Sequence, residues 1–133
     1  MTAVNHVRKI DHVNIRTDQV DESADFYQRL LGLVRTVPPG MPPGMQVVWL
    51  CDSAGLPVIH LVEPMPGDQQ FPAGDTGRLH HVAFDCHGHD AITRTLADMG
   101  LPHEVNVVES IGLRQIFAID PNGVRVELNF TGD

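Results

Sequence analysis

The sequence predicts an α+β fold built from two βαβββ modules, and three observations predict it. Apolar and polar residues alternate with a period of two in short runs along the chain, as half-buried strands require. Two segments carry apolar residues at helical spacing, and a glycine closes each, Gly32 and Gly100. The landmarks also recur. His12 to Gly32 is 20 residues and His81 to Gly100 is 19, while His12 to His60 is 48 and His81 to Glu127 is 46. Each half therefore reads strand, helix, three strands, and neither half buries its apolar face alone.

The first module covers about residues 8–66 of a single domain, 1–133. Lys9 to Arg16 alternates as a strand, Asp18 to Asp21 supply turn and capping residues, and Ala24, Tyr27, Leu30 and Leu31 mark a helix. Strands follow at Val34–Val37, Gln46–Cys51 and Pro57–Glu63. The doubled Pro-Pro-Gly-Met of residues 38–45 lies between the first two of these. Proline fixes φ and lacks an N–H donor, so this is a loop at the rim of a sheet. A linker rich in Pro, Gly and Asp occupies about residues 64–77.

The second module covers about residues 78–131. Leu79–Asp85 alternates as its first strand, and Ala91, Thr95, Leu96 and Met99 mark the apolar side of its helix. Strands at Glu104–Val108, Leu113–Ile119 and Val124–Phe130 complete it, with the turn Asp120-Pro121-Asn122-Gly123 before the last.

Composition narrows the function classes. The 42% hydrophobic and 20% charged content is that of a soluble globular chain. A net charge of −8 disfavours nucleic acid and anionic membrane, whose phosphates call for Lys and Arg. No apolar run reaches the roughly 20 residues that cross a bilayer. The polar start, Met1 to Lys9, has no signal-peptide core, and the cytoplasm is the expected location. Cys51 and Cys86 form no CxxC pair and are expected to be buried and inert.

Strand alternation decides which side chains share a face. Val13 and Ile15 belong under the helix, which sends His12, Asn14 and Arg16 the other way. Ile59 and Leu61 leave His60 on the open side, with Val58 and Val62. Val82 and Phe84 leave His81 open, and Val126, Leu128 and Phe130 leave Arg125, Glu127 and Asn129 open. His12, His60, His81 and Glu127 are thus candidate ligands for one divalent metal ion. Imidazole with carboxylate suits Zn, Ni, Co, Mn or Fe(II). His80 is expected on the face opposite His81. His87-Gly88-His89 reads as a solvated turn, and Trp49 as core beside Val47 and Cys51. Arg114, at the start of a central strand, is a candidate for lining the cleft.

The chain resembles the vicinal oxygen chelate superfamily, which includes glyoxalase I, extradiol dioxygenases and bleomycin- and fosfomycin-resistance proteins. The carriers are Ile10-Asp11-His12-Val13, Phe26-Tyr27 with Leu30-Leu31-Gly32-Leu33, Leu79 to Phe84, and Asp120 to Leu128, where Glu127 stands four residues after Gly123. The resemblance implies curved mixed sheets around a metal cleft, ligands at His12, His60, His81 and Glu127, and a homodimer. It implies chemistry on a small molecule with neighbouring oxygens, through an enediolate or enolate. Arg16, four residues after His12, matches the glyoxalase residue that holds the acidic tail of glutathione. Asn14 shares its face. His60 stands where glyoxalases carry a Glu that moves the proton, which leaves Glu127 and His60 as the candidate acid–base groups. A glyoxalase-like lyase or isomerase is therefore expected. Ring-cleaving Fe(II) dioxygenase is the alternative, weakened because Phe117 stands where those enzymes carry Tyr. A metal-free binding or resistance protein is the third reading.

Overall fold

The structure, a computed structural model, describes residues 3–69, 71–72 and 74–132. Gln70 and Ala73 of the expected linker, like Met1, Thr2 and Asp133, lie outside the described residues. The first module contains β1 (Val13–Arg16), α1 (Val20–Leu31), β2 (Val34–Thr36), β3 (Val47–Cys51) and β4 (Pro57–Val62). The second contains β5 (Val82–Cys86), α2 (His89–Asp98), β6 (Glu104–Val108), β7 (Leu113–Ile119) and β8 (Arg125–Thr131). The two four-stranded sheets have the same topology, β1-β4-β3-β2 and β5-β8-β7-β6. In each, the first strand lies parallel to the last, and the other pairings are antiparallel. The duplicated βαβββ fold is as the sequence predicts.

Helix ends fall where the glycines stand. Gly32 takes φ 69° and donates its N–H to the Gln28 carbonyl. Gly100 takes φ 65°, and the N–H of the next residue, Leu101, reaches back to the Leu96 carbonyl, so otherwise orphaned carbonyls are satisfied. The buried face of α2 runs through Ile92 and Leu96, with Met99 half-buried and Ala91 exposed. Ala91 therefore does not belong to the packed side. The helix begins at His89, and its stripe to the core passes through the larger aliphatic side chains.

Both modules share one core. Phe26, Tyr27 and Leu30 of α1, Leu50, Ile59 and Leu61 of the first sheet, Ile92 and Leu96 of α2, and Ile116, Val126, Leu128 and Phe130 of the second sheet form a single buried cluster. A polar latch accompanies it. The Tyr27 phenol donates to Asp120 Oδ2 at 2.7 Å, while Asp120 Oδ1 accepts the N–H groups of Asn122 and Val124. Asn122 in turn accepts from Thr17 Oγ1 and donates to Ser23 Oγ. The turn before β8 is thereby bonded to the start of α1. At Gly123 the linker crosses so closely that a Cβ would run into the Gly74 backbone, and φ is +87° there, so only glycine fits.

The linker returns along the open face of the first sheet. Arg16 Nε donates to Asp68 Oδ2 at 2.9 Å, and the Met65 N–H donates to the same oxygen. Among the described residues, no helix is long and apolar enough to cross a membrane.

Candidate functional site

With the helix-covered faces turned into the common core, the other face of each sheet carries the polar residues that alternation assigned to it. On the first sheet, Asn14 of β1, His60 of β4 and Trp49 of β3 stand in register across three strands. His12, one residue before β1, lays its ring on His60, with centroids 3.7 Å apart and planes 12° apart. Trp49 lies on the first sheet beside the same imidazole, at 4.9 Å and 19°. Trp49 is therefore not core, although Val47 and Cys51 beside it in phase are buried. Its indole lies on the face that no helix covers and is half-buried there, stacked against His60.

The nitrogens of this stack are differentiated. His12 Nδ1–H donates to Asp11 Oδ1 at 2.7 Å, which leaves Nε2 bare. That hydrogen bond holds the Asp11 carboxyl below its usual range. His60 Nε2 is buried and has no hydrogen-bond partner. Burial pushes the His60 imidazole below its ordinary pKa, and the adjacent His12 adds to the effect. Burying a polar nitrogen without a partner is costly. A nitrogen held this way is suited to a Lewis-acidic ion, so the donor chemistry fits a metal.

On the second sheet, Glu127 of β8 lies between Ala83 of β5 and Phe117 of β7. Its Oε1 is 3.7 Å from His81 Nε2. That spacing would leave His81 and Glu127 able to hold one ion together, since such bonds are about 2.0–2.2 Å long. Glu127 Oε2 accepts from Asn129 Nδ2 at 3.0 Å. His80 and His81 do not point to opposite faces, because β5 begins only at Val82. Their Nδ1 atoms are 2.9 Å apart, and one imidazole donates to the other. With His81 as donor, its Nε2 is bare toward Glu127.

The four expected ligands thus come as two pairs, His12 with His60 and His81 with Glu127. Among the described residues, no group of three or more His, Cys, Asp or Glu gathers within one chain. Arg16 and Asn14 share the open face with His60, and Arg16 Nη1 donates to Asn14 Oδ1. The Arg16 side chain is 42% exposed beside its Asp68 partner.

Arg114 is elsewhere. It is the register partner of Phe130 and lies on the helix-covered side, with Nη1 3.3 Å from His89 Nδ1. One residue of strand phase separates it from Gln115, which is on the open face. His89 is not a solvated turn residue either. It opens α2 with its ring 5.1 Å from that of Phe130, and its Nε2 is buried. Sequence reasoning missed Asp11, Asn129 and Trp49 as site residues. Strand phase alone puts Asn129 on the face of Glu127, whereas the role of Trp49 depends on its stacking on His60.

Three comparisons bear on this arrangement. A model of the Glyoxalase/Bleomycin resistance protein/Dioxygenase superfamily matches residues 9–128. The chain is 28% identical over 127 residues to Glyoxylase I 4 of Arabidopsis thaliana, covering 92% of this chain and 71% of that protein. Its fold is similar to that of a glyoxalase/dioxygenase from Nostoc punctiforme, with a TM-score of 0.75 and 19% identity, covering 100% of this chain and 97% of the other. It is also similar to lactoylglutathione lyase from Agrobacterium tumefaciens, with a TM-score of 0.66 and 18% identity, covering 95% and 96%.

Proposed function

The chain belongs to the Glyoxalase/Bleomycin resistance protein/Dioxygenase superfamily, and from that premise we propose that it is a metal-dependent, glyoxalase-like lyase or isomerase. Its substrate is a small oxygenated carbonyl compound that reacts through an enediolate or enolate. One observation carries the reading: each sheet presents a matched pair of donors on its open face, with His60 Nε2 buried and unpartnered in the first and Glu127 Oε1 turned to His81 in the second.

His12, His60, His81 and Glu127 hold the divalent ion, which is Zn, Ni, Co, Mn or Fe(II). When bound, the ion supplies Lewis-acid stabilisation of negative charge developing on the substrate oxygens. The division into two pairs supports a homodimer in which every site draws one pair from each of two chains. Asp11 and Asn129 orient His12 and Glu127 from behind. The proton is moved by Glu127 or His60, the two acid–base candidates. Arg16 and Asn14 face the charged end of the substrate, with Arg16 exchanging Asp68 for a substrate carboxylate.

The test combines elemental analysis with proton exchange. Purified protein should contain a divalent metal. In deuterated water it should exchange the proton on the carbon next to the carbonyl of lactoylglutathione, the compound named for the Agrobacterium relative. Exchange should persist under argon, because proton transfer consumes no oxygen. A protein with no metal and no thermal shift on adding these ions would support the metal-free reading. Metal-dependent activity that stops without oxygen would support the dioxygenase reading.

A further inference from the structure

We infer that Asn129, Gln115 and Asn106 form a positioning relay that makes Glu127 a one-oxygen ligand, an inference resting on the metal-enzyme reading above. The three amides occupy neighbouring strands on the open face of the second sheet. Gln115 is the register partner of both Asn129 and Asn106. Asn106 Nδ2 donates to Gln115 Oε1 at 2.8 Å, Gln115 Nε2 donates to Asn129 Oδ1 at 3.1 Å, and Asn129 Nδ2 donates to Glu127 Oε2 at 3.0 Å.

The direction of this chain is dictated from its carboxylate end. An ionised carboxylate only accepts, so Asn129 must turn its NH₂ to Glu127. Its carbonyl is then left for the NH₂ of Gln115, whose own carbonyl is left for Asn106. Each link polarises the next in the same sense. The last torsion of a glutamate is otherwise broad and two-fold, which lets either or both oxygens meet an ion. With Oε2 committed to Asn129, Oε1 alone is turned to His81.

Asn129, Gln115 and Asn106 touch no other candidate ligand through these bonds, so their effect passes through Glu127. The test uses the full-length protein and Co(II), followed by equilibrium dialysis and visible spectroscopy. Asn129→Leu should weaken Co(II) binding about 10–100-fold. Its d–d bands should also lose intensity, because the freed carboxylate binds through both oxygens and raises the coordination number. Gln115→Met keeps the length of the side chain but cannot donate to Asn129, and it should shift both readouts the same way by less. Melting of the metal-free variants monitors folding separately. Wild-type affinity and spectrum in both variants would overturn the relay and leave the metal reading standing. A wild-type protein that does not bind Co(II) would overturn both.

Discussion

The Tyr27 phenol and the Asp120 carboxylate, 93 residues apart in sequence, meet in a 2.7 Å hydrogen bond that ties α1 to the turn before β8. Both side chains are buried. The Asp-Pro-Asn-Gly turn is among the carriers of the family resemblance, and its Asp joins the two modules. Tyr27→Phe keeps the ring and removes the donor, leaving a buried acceptor short of a partner. The cost should be about 1–3 kcal/mol, read as a lower urea midpoint. An unchanged midpoint would mean that the latch contributes nothing.

The same pair sets an alkaline limit. Burial first, and then Asp120, hold the folded Tyr27 phenol well above its ordinary value near 10. A group whose folded pKa is raised contributes in full below its unfolded value and is lost as pH rises through the folded one. Stability should therefore fall above about pH 10. In Tyr27→Phe the part of that fall due to Tyr27 should vanish. Denaturant titrations at several alkaline pH values check this.

Glu127→Gln should remove most bound metal while the fold persists. Glutamine matches the shape of glutamate, and the side chain faces the open side of the sheet rather than the core. Stability should change by no more than about 0.5 kcal/mol in the metal-free protein. Metal content and melting of the stripped protein are the two measurements. Retained metal would show that the site lies elsewhere.

Split donor pairs make a complementation experiment decisive. A chain carrying His12→Ala and His60→Ala lacks one pair, and a chain carrying His81→Ala and Glu127→Gln lacks the other. Neither should bind metal alone. Unfolded and refolded together as a two-fold dimer, they should recover about a quarter of the wild-type sites, since half the dimers are mixed and each holds one intact site. No recovery would place the complete site within one chain.

Trp49 is the sole tryptophan, and it is stacked on His60. Zn binding through His60 should therefore shift its fluorescence, and His60→Ala should abolish the shift. A wild-type response in that variant would exclude His60 as a ligand.

Much of the fold was legible because local rules govern it. Period-two alternation chose the faces of Val13, Ile59, Val82 and Val126, and left-handed glycines ended both helices at Gly32 and Gly100. The rules failed where the strand itself stopped. His80 and His81 precede β5, so alternation does not apply to them, and His89 belongs to a helix rather than a turn. Arg114 was misassigned to the cleft by strand position without phase.

By itself, the sequence determined the duplicated architecture and the polar side chains on each open face, because strand and helix periods are properties of a few adjacent residues. Only the tertiary structure decided that Trp49 backs His60 and that the four donors separate into two pairs, His12 with His60 and His81 with Glu127. These relations depend on which strands pair and on which faces share the core. Such contacts join residues distant along the chain, and no local periodicity encodes them.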